Sequence, residues 1–190
     1  MNGVGHLERA APSAGADEQA QREQDHLGFV MNSTRLWAHL PAAKDALFDL
    51  MEVAANQASL TFRQKGVLVT STATALRDPY CSLAWGIRLA GEAGVEVATS
   101  IVDGRADRLD DADRVLAEWA KRVVTEPAST SSADVEHLRR VGFDDSQIFA
   151  LTMYIGLRVT FALVNDSLGA QPDPELMAQA PEELVQSIFG

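Results

Sequence analysis

The stretch from Ile148 to Leu163 constrains the fold most. It is a long, predominantly apolar run, and Asp144 with Gln147 three positions later reads as the cap that starts it. The run ends near Gly169. A helix apolar on every side needs cover on every side, so this segment is expected to be the central helix of a bundle.

The rest of the chain supplies the partners. Pro41 suits a first helical turn, and Leu47, Leu50, Met51 and Ala54 then share one face. A helix is expected from about Thr61 to Leu76, with Val67, Leu68, Ser71 and Ala75 on its buried side. Asp78-Pro79 combines a capping residue with proline at the first helical position, and points Tyr80, Leu83, Ala84 and Ile87 inward as far as Gly91. A short helix is expected from Glu96 to Val102, ended by Asp103-Gly104. Asp110-Asp111 opens another, whose stripe is Val115, Leu116, Trp119, Ala120 and Val123 and whose end is Pro127. Ser131 with Asp134 resembles a capping box for a helix stopping at Gly142. No glycine-rich nucleotide loop, no β alternation and no solenoid repeat is present. The fold class expected is all-α, a multi-helix bundle.

Composition bounds the partners. Among 190 residues, 46% are hydrophobic, enough for a core. The net charge of -11 disfavours a broad nucleic-acid or anionic-membrane surface. No run reaches about 18 uninterrupted apolar residues, so no membrane span is expected. Cys81 is the sole cysteine, which excludes an internal disulfide. The polar N-terminus carries no stretch fit for a signal peptide, and a cytoplasmic location is expected. Residues 1–26 lack an apolar stripe and are expected to be a flexible tail. Residues 27–170 form the domain, and 171–190, proline-rich and then amphipathic from Pro181, form a docking arm.

The order of these pieces resembles a known family. Arg63-Gln64-Lys65-Gly66-Val67-Leu68-Val69 leads through Ala73-Thr74-Ala75-Leu76 to Asp78-Pro79-Tyr80-Cys81 and Ser82-Leu83-Ala84-Trp85. Downstream come Leu116-Ala117-Glu118-Trp119-Ala120-Lys121, Glu126-Pro127-Ala128, the stretch Ala133 to Gly142, and Phe161-Ala162-Leu163-Val164-Asn165. Over residues 27–170 this is similar to the alkylhydroperoxidase D-like (carboxymuconolactone decarboxylase) superfamily, in its longer peroxidase-related branch, whose opening segment Phe29-Val30-Met31-Asn32 resembles. The resemblance implies a glutamate-bearing helix, a C-x-x-C pair and a histidine four residues after the second cysteine. Here the first cysteine falls on Asp78, the second on Cys81, the histidine on Trp85 and the glutamate on Gly66.

Those replacements bear on the chemistry. The family cycle oxidises one sulfur to sulfenic acid and condenses it with a second to a disulfide. No second sulfur of that kind exists in this chain. As a helix cap, Asp78 would hold a negative charge beside the thiol and raise its pKa. Neither Trp85 nor Gly66 accepts a proton. A sluggish thiol is expected. Each residue also has a structural reading: Cys81 as a small core residue, Asp78 as a cap, Trp85 as packing, Gly66 as close helix approach, Tyr80 as a half-buried core tyrosine, and Asn165 as the partner of a buried backbone group.

Other signals lead nowhere. The acids from Asp103 to Asp113 lack the ligand order of a calcium loop. His6, His26, His39 and His137 have no metal-ligand spacing, so neither a metal nor a cofactor is expected. The expected protein is an oligomeric helical scaffold (dimer, trimer or hexamer), holding a small apolar ligand beside Trp85. The alternative is a one-cysteine thiol peroxidase using Cys81 with an external reductant. A lactone decarboxylation finds no acid–base pair in the sequence.

Overall fold

The computed structural model describes residues 4–105 and 107–190. Among them the chain forms α1 (Ala14–Leu27), α2 (Asn32–Trp37), α3 (Pro41–Gln57), α4 (Phe62–Leu76), α5 (Pro79–Ala93), α6 (Val95–Val102) and α7 (Asp111–Thr125). After a 3-10 turn at Pro127–Ser129 come α8 (Ser132–Arg140), α9 (Asp145–Ser167), α10 (Pro174–Gln179) and α11 (Glu182–Phe189). No strand occurs among the described residues, and the architecture is the all-α bundle expected.

The caps lie where the side chains dictate. Asp78, Asp110 and Asp144 each accept a backbone N–H from the first turn they open, and Ser131–Asp134 and Asp144–Gln147 form capping boxes. A further box, Thr61 with Gln64, starts α4.

The centre of the bundle is α4, which corrects the expectation for α9. Every residue from Gly66 to Ala73 is buried, and α4 packs against α5, α6, α7 and α9. Small and β-branched side chains let neighbours approach from all sides. A Cβ on Gly66 would lie 3.1 Å from Leu89 Cδ1 of α5, so this position is the close helix contact. By contrast α9 buries only one side, through Ile148, Leu151, Tyr154, Ile155 and Ala162, and leaves Phe149 73% exposed. With 23 residues and a mean hydropathy of 1.6, α9 is long and apolar enough to cross a membrane; in this structure it packs on α3, α4 and α7. The expected α3 face is also rotated: Lys44, Met51, Ala54 and Ala55 are buried while Leu50 is exposed.

The tail expected over residues 1–26 is corrected most. Residues from Ala14 onward form α1, capped by Ser13 and ended by Gly28 in the left-handed region at φ 82°. Polar contacts, not an apolar stripe, hold α1 to the bundle. The buried Gln19 donates through Nε2 to the Pro41 carbonyl at 2.8 Å, and Arg22 pairs with Asp45 at 2.9 Å. Glu23 accepts from the Met31 N–H at 3.0 Å and from Lys44 Nζ at 3.2 Å. The C-terminal residues dock within the same chain: Leu184 of α11 is fully buried against Gly86 of α5, and Leu176 of α10 joins a cluster with Phe29, Leu83 and Ala84.

Candidate functional site

Helix α5 places Tyr80, Cys81, Ala84, Trp85 and Arg88 along one open cavity of about 560 Å³, bordered also by α1, α2, α3 and α9. Of the residues picked out from the sequence, this brings Tyr80, Cys81 and Trp85 together. Gly66 is not on its wall; it packs against Leu89 of α5, which does not line the cavity either.

Asp78 sits behind the thiol. It is fully buried, and its Oδ1 accepts the Cys81 N–H at 3.0 Å. Its Oδ2 has no hydrogen-bond partner among the described residues. Burial pushes the Asp78 carboxyl above the usual range, with the bonds from Cys81 opposing. Cys81 is 7% exposed, and burial pushes its thiol well above the ordinary value. The neighbouring Asp78 charge adds to that, while Arg158 pulls the other way. Asp166 also belongs to this acidic end: burial and the Asp78 charge push its carboxyl up to about 6. A helix N-terminus ordinarily favours thiolate, but desolvation and like charge outweigh it here.

Tyr80 is a latch. Its hydroxyl donates to Asp173 Oδ2 at 2.7 Å and accepts from the Ser33 N–H at 3.1 Å. Asp173 Oδ1 accepts the Asn32 N–H at 2.7 Å. The phenol thus ties α5 to the start of α2 and the start of α10. Burial and the Asp173 charge hold its proton more tightly than in water. Asn165 is structural too: fully buried, it accepts from Trp37 Nε1 at 2.9 Å, and Trp37 stacks on Phe161.

Trp85 meets cations where the family pattern has an imidazole. The guanidinium carbons of Arg158 and Arg88 lie 4.8 and 5.4 Å from its ring centroid. Arg158 also lies 5.0 Å from the Tyr154 ring and 5.8 Å from the Phe48 ring, and donates to the Tyr154 hydroxyl at 2.9 Å. These are cation–π distances. Sequence reasoning missed both arginines, and Glu23, Lys44, Phe48 and Phe161, which line the same cavity. One signal was available: Arg158 is the single charge in the apolar run Ile148–Leu163. Lys44, with its ammonium pKa lowered by burial against the pull of Glu23, also touches Thr34 Oγ1.

Chemically the arrangement offers one shielded thiol, no second cysteine, and an aromatic cavity rich in cations. No protein-family model and no curated protein matches the sequence. Solved structures do. An uncharacterized peroxidase-related protein from Ralstonia eutropha, described as an alkylhydroperoxidase AhpD core, superposes with a TM-score of 0.83 at 21% identity, covering 96% of this chain and 100% of its own. A peroxidase-related protein from a Silicibacter species gives 0.80 at 22% identity, over 92% of this chain and 95% of its own. The debrominase Bmp8 gives 0.72 at 15% identity, over 97% of both chains. A cysteine-to-alanine variant of Bmp8 in complex with 2,3,4-tribromopyrrole gives 0.70 at 15% identity, over 94% of this chain and 96% of its own. The chain therefore has the fold of the alkylhydroperoxidase AhpD core.

Proposed function

We propose that this protein is a member of the alkylhydroperoxidase D-like superfamily that has lost the two-cysteine peroxidase cycle and uses the scaffold to bind a small molecule with an apolar body. The observation that carries this reading is the environment of Cys81: the chain's sole sulfhydryl, buried against the Asp78 carboxylate, on the wall of a cavity of about 560 Å³. Without a second cysteine, a sulfenic acid at Cys81 has no partner within the subunit. The test is steady-state consumption of cumene hydroperoxide with a dithiol donor. No turnover above the uncatalysed rate is expected, and Cys81→Ser should keep the wild-type melting temperature. Turnover abolished by Cys81→Ser would overturn the reading.

That outcome would establish the second reading, a one-cysteine thiol peroxidase. In it the Cys81 thiolate attacks a peroxide oxygen, releasing the alcohol and leaving sulfenic acid. One external thiol then displaces water to form a mixed disulfide, and a second restores the thiolate and leaves as disulfide. Arg158 favours it by stabilising negative charge at Cys81. Bmp8, captured with a halogenated pyrrole as a cysteine-to-alanine variant, supports small-molecule chemistry in this fold.

The scaffold also self-associates in our reading. Helices α3 and α9, packed on each other, expose Val53, Leu163 and Phe149 at 63%, 51% and 73%, and a second copy would cover this apolar surface. Light scattering checks it: Phe149→Ser should shift the mass downward, and a wild-type monomer contradicts it. The single reduced cysteine fits a cytoplasmic location.

A further inference from the structure

The cavity beside Trp85 is apolar in its rings and strongly positive in its charge. Arg22, Lys44, Arg88 and Arg158 line it against a single carboxylate, Glu23. Two of these cations are already committed. Arg22 pairs with Asp45, and Lys44 with Glu23 and Thr34. Glu23 is committed as well, to Lys44, Thr34 and the Met31 N–H.

Arg88 and Arg158 are different. Neither has a carboxylate within salt-bridge distance among the described residues. Arg88 donates through Nη1 to the Ala84 carbonyl of its own helix at 2.5 Å. Arg158 donates to the Tyr154 hydroxyl, and its buried Nε has no partner. Both guanidiniums face the same indole ring. Burial, and then the charge of Arg158, depress the Arg88 pKa. The chain as a whole carries a net charge of -11. Two adjacent unpaired guanidiniums in an acidic protein therefore mark a local requirement, because even half-burying such charges without a counter-ion carries a cost. Aromatic faces compensate only part of that cost.

We infer that the ligand of this cavity is a planar aromatic carboxylate, whose anionic group is held by Arg88 and Arg158 and whose ring lies among Phe48, Trp85 and Phe161. The guanidinium fork matches a carboxylate through paired N–H donors, and both forks border the cavity beside the Trp85 ring. This deepens the ligand-binding reading above and rests on it.

The experiment is calorimetric titration of the full chain with naphthoate and, separately, with the uncharged naphthamide of the same shape. Naphthoate should bind, and naphthamide should bind roughly tenfold more weakly or worse. Arg88→Gln and Arg158→Gln should each weaken naphthoate by about tenfold while leaving naphthamide unchanged, with far-ultraviolet circular dichroism and melting confirming folded variants. Should Arg158→Gln fail to fold, Arg88→Gln alone decides the matter. Equal binding of the two probes, indifferent to the arginines, would keep a ligand site but refute the carboxylate. Binding of inorganic phosphate that displaces naphthoate and outcompetes it would also refute it. Absence of binding by either probe at millimolar concentration would sink both the carboxylate and the ligand-binding reading.

Discussion

The first turn of α5 and its third turn border one cavity with opposite chemistry. At Asp78–Cys81 the helix is capped, buried and acidic, with Asp78 and Asp166 both pushed toward their protonated forms. At Trp85–Arg88 it is aromatic and cationic, with two guanidiniums that have no carboxylate at salt-bridge distance among the described residues. One end disfavours a thiolate, and the other presents the positive charge on which the proposed carboxylate site rests. The difference teaches that one helix can give a single cavity wall two electrostatic characters a few residues apart.

Breaking the scaffold that holds both ends should have the largest effect. Tyr80→Phe removes the donor to the buried Asp173 and the acceptor for the Ser33 N–H, and should cost about 1.5–3 kcal/mol by urea melting. A loss below about 0.5 kcal/mol would show that the latch is dispensable.

Asp78 sharpens the comparison at its acidic end. Asp78→Asn keeps an acceptor for the Cys81 N–H and removes the charge, so at neutral pH the variant should be within about 1 kcal/mol of wild type and its thiol should alkylate faster. The pH dependence has a definite sign. The folded Asp78 carboxyl titrates above its unfolded value of 3.8, so the native state holds the proton longer. Wild type should therefore lose stability relative to Asp78→Asn as pH rises above 3.8 and through the raised value, with no such loss below. A difference independent of pH would contradict the burial of an ionising carboxyl.

Asp166 should show the same sign with a smaller amplitude, because it is mostly solvent-exposed. Between its unfolded value of 3.8 and about 6, its ionisation should weaken the fold, and Asp166→Asn should remove that slope. The gain at neutral pH should stay below about 1 kcal/mol. Chemical melts at several pH values read both variants.

Much of the fold was legible in the sequence because caps act locally. Asp78-Pro79, Asp110, Ser131–Asp134 and Asp144–Gln147 each need only a few neighbouring backbone groups, and each starts the helix expected. What α4 and α9 exchange, the central place in the bundle, is tertiary. Hydrophobicity marked α9, but the smaller side chains of α4 let four helices meet around it. Helix α1 escaped notice because it docks through Gln19, Arg22 and Glu23 and not through an apolar stripe. The thiol end of the site was legible too, since Asp78 and Cys81 are neighbours on one turn. Its cationic end was not, because Arg88 and Arg158 come from α5 and α9 and meet only across Trp85.

The central claim is that the surroundings of Cys81 keep its sulfur protonated. Rates of iodoacetamide alkylation, followed by mass spectrometry across pH, report that ionisation directly, since no other thiol competes. The account expects a midpoint above the ordinary 9.0, moving downward in Asp78→Asn. A wild-type midpoint below about 7.5 would mean an activated thiolate and would contradict it.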